Sequence, residues 1–120
     1  MKILIAEDDP MLCRAYEKMF QAANDGNNIS LARNGKEAIE LIEQESPNLI
    51  LLDIMMPEVD GFGVLEYLNK TDKIDTITVF VLTNLSTDED REKIMKLGAT
   101  DYIIKSNVSS NMVKNLLGVS

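Results

Sequence analysis

Leu49-Ile50-Leu51-Leu52-Asp53-Ile54-Met55-Met56-Pro57 runs four large aliphatic residues into a carboxylate and then back into apolar side chains. A short run that is apolar at every position reads as a strand buried on both faces, as in a parallel sheet covered by helices. Asp53 is badly placed if it is only a surface charge. It is well placed if the strand ends there and presents an oxygen nucleophile at the rim of the sheet. A second apolar run, Ile3-Leu4-Ile5-Ala6, ends the same way in Glu7-Asp8-Asp9. Two buried strands that both stop on carboxylates suggest a divalent-metal site.

Working outward from these runs, the chain alternates between two periodicities. Lys2–Ala6 predicts a strand, and Asp9-Pro10 predicts a helix start with Asp9 as N-cap and Pro10 at the first helical position. Leu12, Ala15, Met19 and Ala22 follow at helical spacing, and Asn24-Asp25-Gly26-Asn27 breaks the helix. Residues 29–32 predict the second strand, with Asn34-Gly35 as a turn. Ala38, Ile39, Leu41 and Ile42 mark a second helix that stops before Pro47. Leu49–Leu52 is the third strand, and Phe62, Leu65 and Leu68 mark a third helix after a loop carrying Pro57, Asp60 and Gly61. Residues 77–82 predict the fourth strand, rich in β-branched and aromatic residues. Thr87 is the expected N-cap of a fourth helix whose apolar face is Ile94, Met95 and Leu97 and whose stop is Gly98. Asp88, Glu89 and Asp90 suit its positive end. Residues 102–104 predict a fifth strand. Met112, Val113, Leu116 and Leu117 predict a last helix capped by Ser109 or Ser110. Five β–α units without a linker predict one α/β domain over residues 1–120, a parallel sheet doubly wound by helices on both faces.

Composition sets further bounds. The 120 residues carry a net charge of −8, which argues against a nucleic-acid surface, since binding phosphates requires an excess of Lys and Arg. There is no histidine, so His-ligated metals, Ser-His-Asp triads and phosphohistidine carriers are excluded within the chain. The single cysteine, Cys13, forms no intramolecular disulfide and reads as a small core residue, in keeping with a reducing cytoplasm. No apolar stretch approaches the length of a membrane span. Residues 1–8 show no basic segment followed by a long apolar one, so no signal peptide is expected.

In a doubly wound sheet the site lies beyond the carboxyl ends of the strands. There the successive strand ends carry Glu7 and Asp8, Asp53, Thr83 and Lys105. Carboxylates brought close repel one another: two unit charges about 5 Å apart cost roughly 3 kcal/mol at an effective dielectric near 20. A hard cation with oxygen ligands offsets that, and a few carboxylates with waters and a phosphate suit Mg²⁺. Lys105 adds a fixed positive charge, and Thr83 a hydroxyl able to donate to an anionic oxygen. Nucleophile, metal, ammonium and hydroxyl are the parts needed for phosphoryl transfer to a carboxylate. Singly, each has a plainer reading: Asp9 as a cap, Lys105 as a solvated lysine, Thr83 as a strand end, Gly61 as a turn. It is their joint placement at strand ends that points to chemistry.

With these residues in place, the chain resembles the response-regulator receiver domain of two-component signalling. The matching stretches are ILIAEDDP, NGKEAIELI, LILLDIMMPEVDGFGVL, VFVLTN and GATDYIIK, which span Ile3 to Lys105. The resemblance implies a flavodoxin-like sandwich with strand order 2-1-3-4-5 and five helices. It implies Asp53 as phosphoacceptor, and Mg²⁺ (or Mn²⁺) bound by Asp8, by Asp53 and by the Met55 backbone carbonyl, with Glu7 acting mainly through water. Thr83 and Lys105 are implied as phosphoryl contacts and Tyr102 as an aromatic switch residue; without the motif Tyr102 reads as a core tyrosine. The implied partners are a sensor histidine kinase or phosphotransfer protein and an unknown output protein, with neither nucleic acid nor membrane bound directly. The domain is expected as a monomer or a phosphorylation-dependent dimer.

Three positions depart from the family pattern. Ser106 follows Lys105 where proline after a cis bond is usual, so this loop is either trans and differently shaped or strained. Asn84 stands after Thr83 where a small residue is usual. Met55 and Leu85 are apolar at positions that tune hydrolysis in the family, which predicts slow loss of the phosphoryl group.

The leading expectation is a phosphorylation switch read through helix four, strand five and helix five, catalytic only toward its own phosphoryl group. One alternative is a phosphorylation-independent binding module with the same fold, kept open by Ser106. A less favoured one is a Mg²⁺-dependent phosphohydrolase with an aspartyl-phosphate intermediate. Enzymes of that kind resembling the haloacid-dehalogenase family usually carry a second Asp two residues after the nucleophile, where this chain has Met55. No output segment follows the last helix, so the chain either acts alone or is one domain of a longer protein. Met1 directly before the first strand reads as a native start.

Overall fold

The computed structural model describes residues 1–23, 26–84 and 87–118. Its elements are β1 (Lys2–Ala6), α1 (Pro10–Ala23), β2 (Asn28–Ala32), α2 (Gly35–Glu45), β3 (Leu49–Asp53) and α3 (Gly61–Lys70). They continue as β4 (Thr78–Thr83), α4 (Asp88–Lys96), β5 (Asp101–Ile104) and α5 (Ser110–Leu117). Short 3-10 turns lie at Lys73–Asp75 and Lys105–Asn107. Every strand pairing is parallel, and the order is β2-β1-β3-β4-β5. The doubly wound sandwich expected from the sequence is present, in the expected order.

The sheet divides the core in two because side chains alternate along each strand. Leu4, Ala6, Ile50, Leu52, Val79 and Val81 pack under Ala38, Ile42, Val64, Leu65, Leu68 and Ile94 of α2, α3 and α4. Ile3, Ile5, Leu49, Leu51, Leu82 and Ile103 face the other way, onto Cys13, Tyr16, Phe20 and Val113 of α1 and α5. All five residues of β3 are buried, as its unbroken apolar run requires. Asp53 and Thr83 are the last residues of their strands rather than the first ones beyond them.

Local capping works where a short polar side chain precedes a helix. Asp9 Oδ1 accepts from Met11 N–H at 2.9 Å, which supports the reading of Asp9 as a cap. Thr87 Oγ1 accepts from Asp90 N–H at 3.1 Å, and Ser109 Oγ from Met112 N–H at 3.2 Å, so Ser109 rather than Ser110 caps α5. Gly98 ends the α4 segment at φ +94°, in the left-handed region that glycine tolerates.

Three expectations need correction. The buried stripe of α1 is Cys13, Tyr16 and Phe20, whereas Leu12 and Met19 are half-buried and Ala22 is exposed. Leu12 and Met19 flank that stripe and pack against the same core, while Tyr16 and Phe20 occupy its centre beneath the sheet. Asn34-Gly35 is not a free turn: Asn34 Oδ1 accepts from Glu37 N–H at 2.8 Å, and Gly35 is the first residue of α2. Met95 is exposed, because Ile94 already occupies the sheet-facing side of α4. The helix break read at Asn24-Asp25 lies outside the described residues.

Gly61 positions the site and is more than a turn residue. A Cβ there would sit 2.6 Å from Asp53 O and 2.7 Å from Ile54 Cα. The missing side chain lets α3 begin directly against the end of β3, where Gly61 N–H donates to Ile54 O at 3.0 Å. Asp60 Oδ1 caps the helix through Gly63 N–H at 2.9 Å. Overpacking of this kind costs about 1–3 kcal/mol. Gly61→Ala is therefore expected to lower unfolding free energy by roughly that amount in urea titration. A midpoint equal to wild type would show that the β3–α3 junction can relax freely.

Candidate functional site

The carboxyl ends of the strands gather the acidic residues onto one rim. Glu7 lies one residue past β1 and is fully buried. Its backbone N–H donates to Ala32 O at 3.0 Å, which carries the ladder with β2 one residue further. Asp53 is 1% exposed. The adjacent Ile54 N–H donates to Leu82 O at 3.0 Å, and Met55 N–H donates to Asp53 Oδ1 at 3.1 Å. The Asp53 carboxylate is thus held by its own backbone two residues on.

Lys105 arrives from β5, with β4 between it and Asp53. Two strand spacings, about 9–10 Å, separate those backbones, a gap that a long lysine stem and an inward-facing carboxylate close together. Lys105 Nζ lies 2.9 Å from Asp53 Oδ2, in an aligned hydrogen bond, and 2.9 Å from Glu7 Oε1. The second contact is an ion pair; Glu7 Oε1 has no aligned donor. Glu7 Oε2 accepts from Asp9 N–H at 3.3 Å.

Burial dominates the electrostatics. Desolvation, and then the neighbouring Asp53 carboxylate, push the Glu7 carboxyl up to about 8, against the opposing pull of Lys105. Desolvation alone would lower the Lys105 pKa, but its contacts with Glu7 and Asp53 win and raise it, so the ammonium stays charged. The same burial, with Glu7 nearby, pushes the Cys13 thiol up to about 11 and raises the Tyr16 phenol. Both lie beneath the site in α1, and sequence periodicity gave no sign of their contact with it.

Glu7, Asp8 and Asp53 each offer a carboxylate oxygen, and these oxygens lie within 4.8 Å of one another, with Asp8 exposed and the other two buried. Three carboxyl groups gather around one ammonium, and Glu7 Oε1, although 2.9 Å from Lys105 Nζ, has no aligned donor. An all-oxygen set of this kind fits a hard divalent cation.

The sequence matches the model of the response regulator receiver domain over residues 3–117. The chain belongs to that family. It is 38% identical over 104 residues to a probable transcriptional regulator ycf27 of Porphyridium aerugineum, a match covering 87% of this chain and 41% of the relative. This receiver domain therefore spans about two-fifths of that regulator's length. It is also 34% identical over 105 residues to an uncharacterized 14.6 kDa protein of Leptolyngbya boryana, covering 88% of this chain and 79% of that one. Among solved structures, the Francisella response regulator 1452 receiver domain superposes with a TM-score of 0.85 at 31% identity, covering 98% of this chain and 93% of the other. The signal receiver domain of a histidine kinase from Syntrophus aciditrophicus does so at 0.81 and 32% identity, covering 98% and 89%. Receiver domains are signalling domains that interact with histidine kinases or phosphotransfer proteins, and they bind Mg²⁺ at an acidic pocket.

The other residues singled out from the sequence lie around this centre. Thr83, 3% exposed, and Met55, 71% exposed, line an open cleft of about 310 Å³ with Ile54, Asn84 and Asp90. Asp90, read from sequence only as part of the α4 start, faces this cleft, a contact that depends on how α4 returns over the sheet. Tyr102 is half-buried on β5, opposite Val81 in register, and its ring lies under the Arg91 guanidinium at 5.3 Å. The Lys105-Ser106 peptide is trans, and residues 105–107 form a 3-10 turn closed by Val108 N–H on Lys105 O at 3.3 Å. Of the alternatives read from Ser106, the trans loop is the one present. Leu85 lies outside the described residues. Among those residues no helix is long and apolar enough to cross a membrane.

The raised Glu7 pKa has a definite sign in stability. Folded Glu7 keeps its proton to about pH 8, whereas the ordinary glutamate value is 4.5. Between those values the folded state holds the extra proton, so stability is full below the lower value and lost as pH rises toward the upper one. In metal-free buffer, the stability of wild type relative to Glu7→Gln is expected to fall from pH 5 to 8, read as the difference in Tm. A difference that stays flat or rises would overturn the assignment.

Proposed function

We propose that this receiver domain is a phosphorylation-dependent switch with Asp53 as phosphoacceptor. The observation that carries the reading is the placement of Asp53: buried, fixed by Met55 N–H and paired with Lys105 in an acidic cluster. The donor is a phosphohistidine of a sensor kinase or phosphotransfer protein. An Asp53 oxygen attacks phosphorus, the P–N bond breaks, and the imidazole leaves with its electron pair. Lys105 neutralises charge on the transferring oxygens, and the Thr83 hydroxyl donates to one of them. Asp8, Asp53 and the Met55 carbonyl would hold Mg²⁺, with Glu7 reached through water. The ion supplies further charge neutralisation on the phosphoryl oxygens.

The new charge then draws Thr83 and Tyr102 into a different arrangement, and the face formed by α4, β5 and α5 carries the signal to an output protein. The only chemistry is self-directed: accepting the phosphoryl group and losing it to water. The single cysteine, Cys13, is free and buried, which is in keeping with a reducing compartment, and the reading places the domain in the cytoplasm.

Incubation with acetyl phosphate and Mg²⁺ is expected to add one phosphoryl group by intact mass, and Asp53→Asn to add none. Chelation of the metal abolishes the gain. Rapid donor turnover without a stable adduct would favour a phosphohydrolase, and no reaction at all a binding module. Met55 has no group that orients an attacking water, so the adduct is expected to last minutes or longer at neutral pH. A half-life of seconds would remove that argument.

A further inference from the structure

The helix α4 is held in an unusual way. Its sequence, Asp-Glu-Asp-Arg-Glu-Lys-Ile-Met-Lys, is charged at all positions but Ile94 and Met95, and Ile94 is its one buried residue. By contrast, α3 buries Gly61, Val64, Leu65 and Leu68. Apolar burial therefore does little to fix where α4 sits on the sheet. Two of its cations lie over aromatic rings on either side. Lys93 Nζ is 4.0 Å from the centroid of the Phe62 ring on α3, and the Arg91 guanidinium is 5.3 Å from the centroid of Tyr102 on β5. Both distances are within the range where a cation is attracted to the face of a ring.

The Tyr102 contact lies on the face of the sheet that carries Thr83. Residues paired across parallel strands point to the same face, and Tyr102 pairs with Val81 while Ile104 pairs with Thr83. Tyr102 and Thr83 thus share the face that α4 covers. The ring packs partly into the core formed by Val79, Val81 and Ile94, with the rest open to solvent under Arg91.

We propose that Arg91 and Lys93 are positioning residues that seat α4 by two cation–π clasps, and that the Arg91 clasp holds Tyr102 in its half-exposed position until phosphorylation displaces it. The inference rests on the phosphorylation-switch reading for its second half only. The first half is a statement about the resting protein. Because Phe62 and Tyr102 lie on different elements, the clasps divide the work. The Lys93 clasp ties α4 to α3, and the Arg91 clasp ties it to the strand whose ring has to move.

The chain has no tryptophan and only three tyrosines, so 3-fluorotyrosine labelling gives three ¹⁹F resonances, and Tyr102→Phe assigns one. The variants are Arg91→Gln, Arg91→Lys and Lys93→Gln, all at positions remote from Asp53 in sequence, with Mg²⁺ and beryllium trifluoride as the phosphoryl mimic. In the absence of mimic, Arg91→Gln is expected to shift the Tyr102 resonance, and Arg91→Lys to restore most of it. In a mimic titration, Arg91→Gln is expected to reach half conversion at about fivefold lower concentration, or 1 kcal/mol at 1.4 kcal/mol per factor of ten. Lys93→Gln is expected to leave the resting Tyr102 resonance in place while still easing the conversion. A Tyr102 resonance that superposes in wild type and Arg91→Gln, with and without mimic, overturns the proposal. If wild-type Tyr102 ignores the mimic while Arg91→Gln still moves it, the switch reading fails and the clasp stands.

Discussion

Two buried carboxyl groups, Glu7 and Asp53, share the Lys105 ammonium at the rim of the sheet with Asp8 exposed beside them, and the rest of the structure is arranged around that imbalance. Glu7 and Asp53 are buried, where an unpaired charge is costly. Lys105 is paired with both, yet burial, and then the neighbouring Asp53, push the Glu7 carboxyl up to about 8. A site that must either bind a proton or attract a cation is responsive to what arrives there. A charged group arriving at this buried rim interacts with it more strongly than it would with a solvated surface.

The parallel sheet is what makes the imbalance possible. In a parallel arrangement all strands point the same way, so residues far apart in sequence end on one edge. Lys105 and Asp53 are 52 residues apart and in hydrogen-bond contact. The two faces of the sheet then separate the tasks. Glu7, Asp53 and Lys105 continue the alternation of the residues that face α1 and α5, whereas Thr83 and Tyr102 belong to the face covered by α4. The charged centre and the proposed readout are thereby on opposite sides of one strand layer, joined at the end of β4.

Much of this was legible from residues alone, and the failures have local causes. Unbroken apolar runs identified β1 and β3, and Asp9 and Thr87 were recognisable as caps because an N-cap bond spans only two or three residues. The aliphatic spacing of α1 marks the flank of its buried stripe rather than the centre, which is Cys13, Tyr16 and Phe20. The Asn34-Gly35 pair carries the same residues in a turn and in a helix start, and only its bond to Glu37 separates the two. Met95 reads as apolar in any pattern, and its exposure follows from the space already filled by Ile94.

The sequence by itself determined the strand–helix alternation, the placement of carboxylates at strand ends and the family, because these depend on periodicity, short-range caps and residue identity. Tertiary structure decided the contact of Lys105 with both carboxylates, the burial that raises Glu7, the close approach of the β3 end to Gly61 and the seat of Arg91 on Tyr102. Each of these depends on register across strands or on the angle at which a helix returns to the sheet. A pKa shift or a cation–π contact falls off within a few ångströms. Such interactions are set by distances that no local pattern of residues encodes.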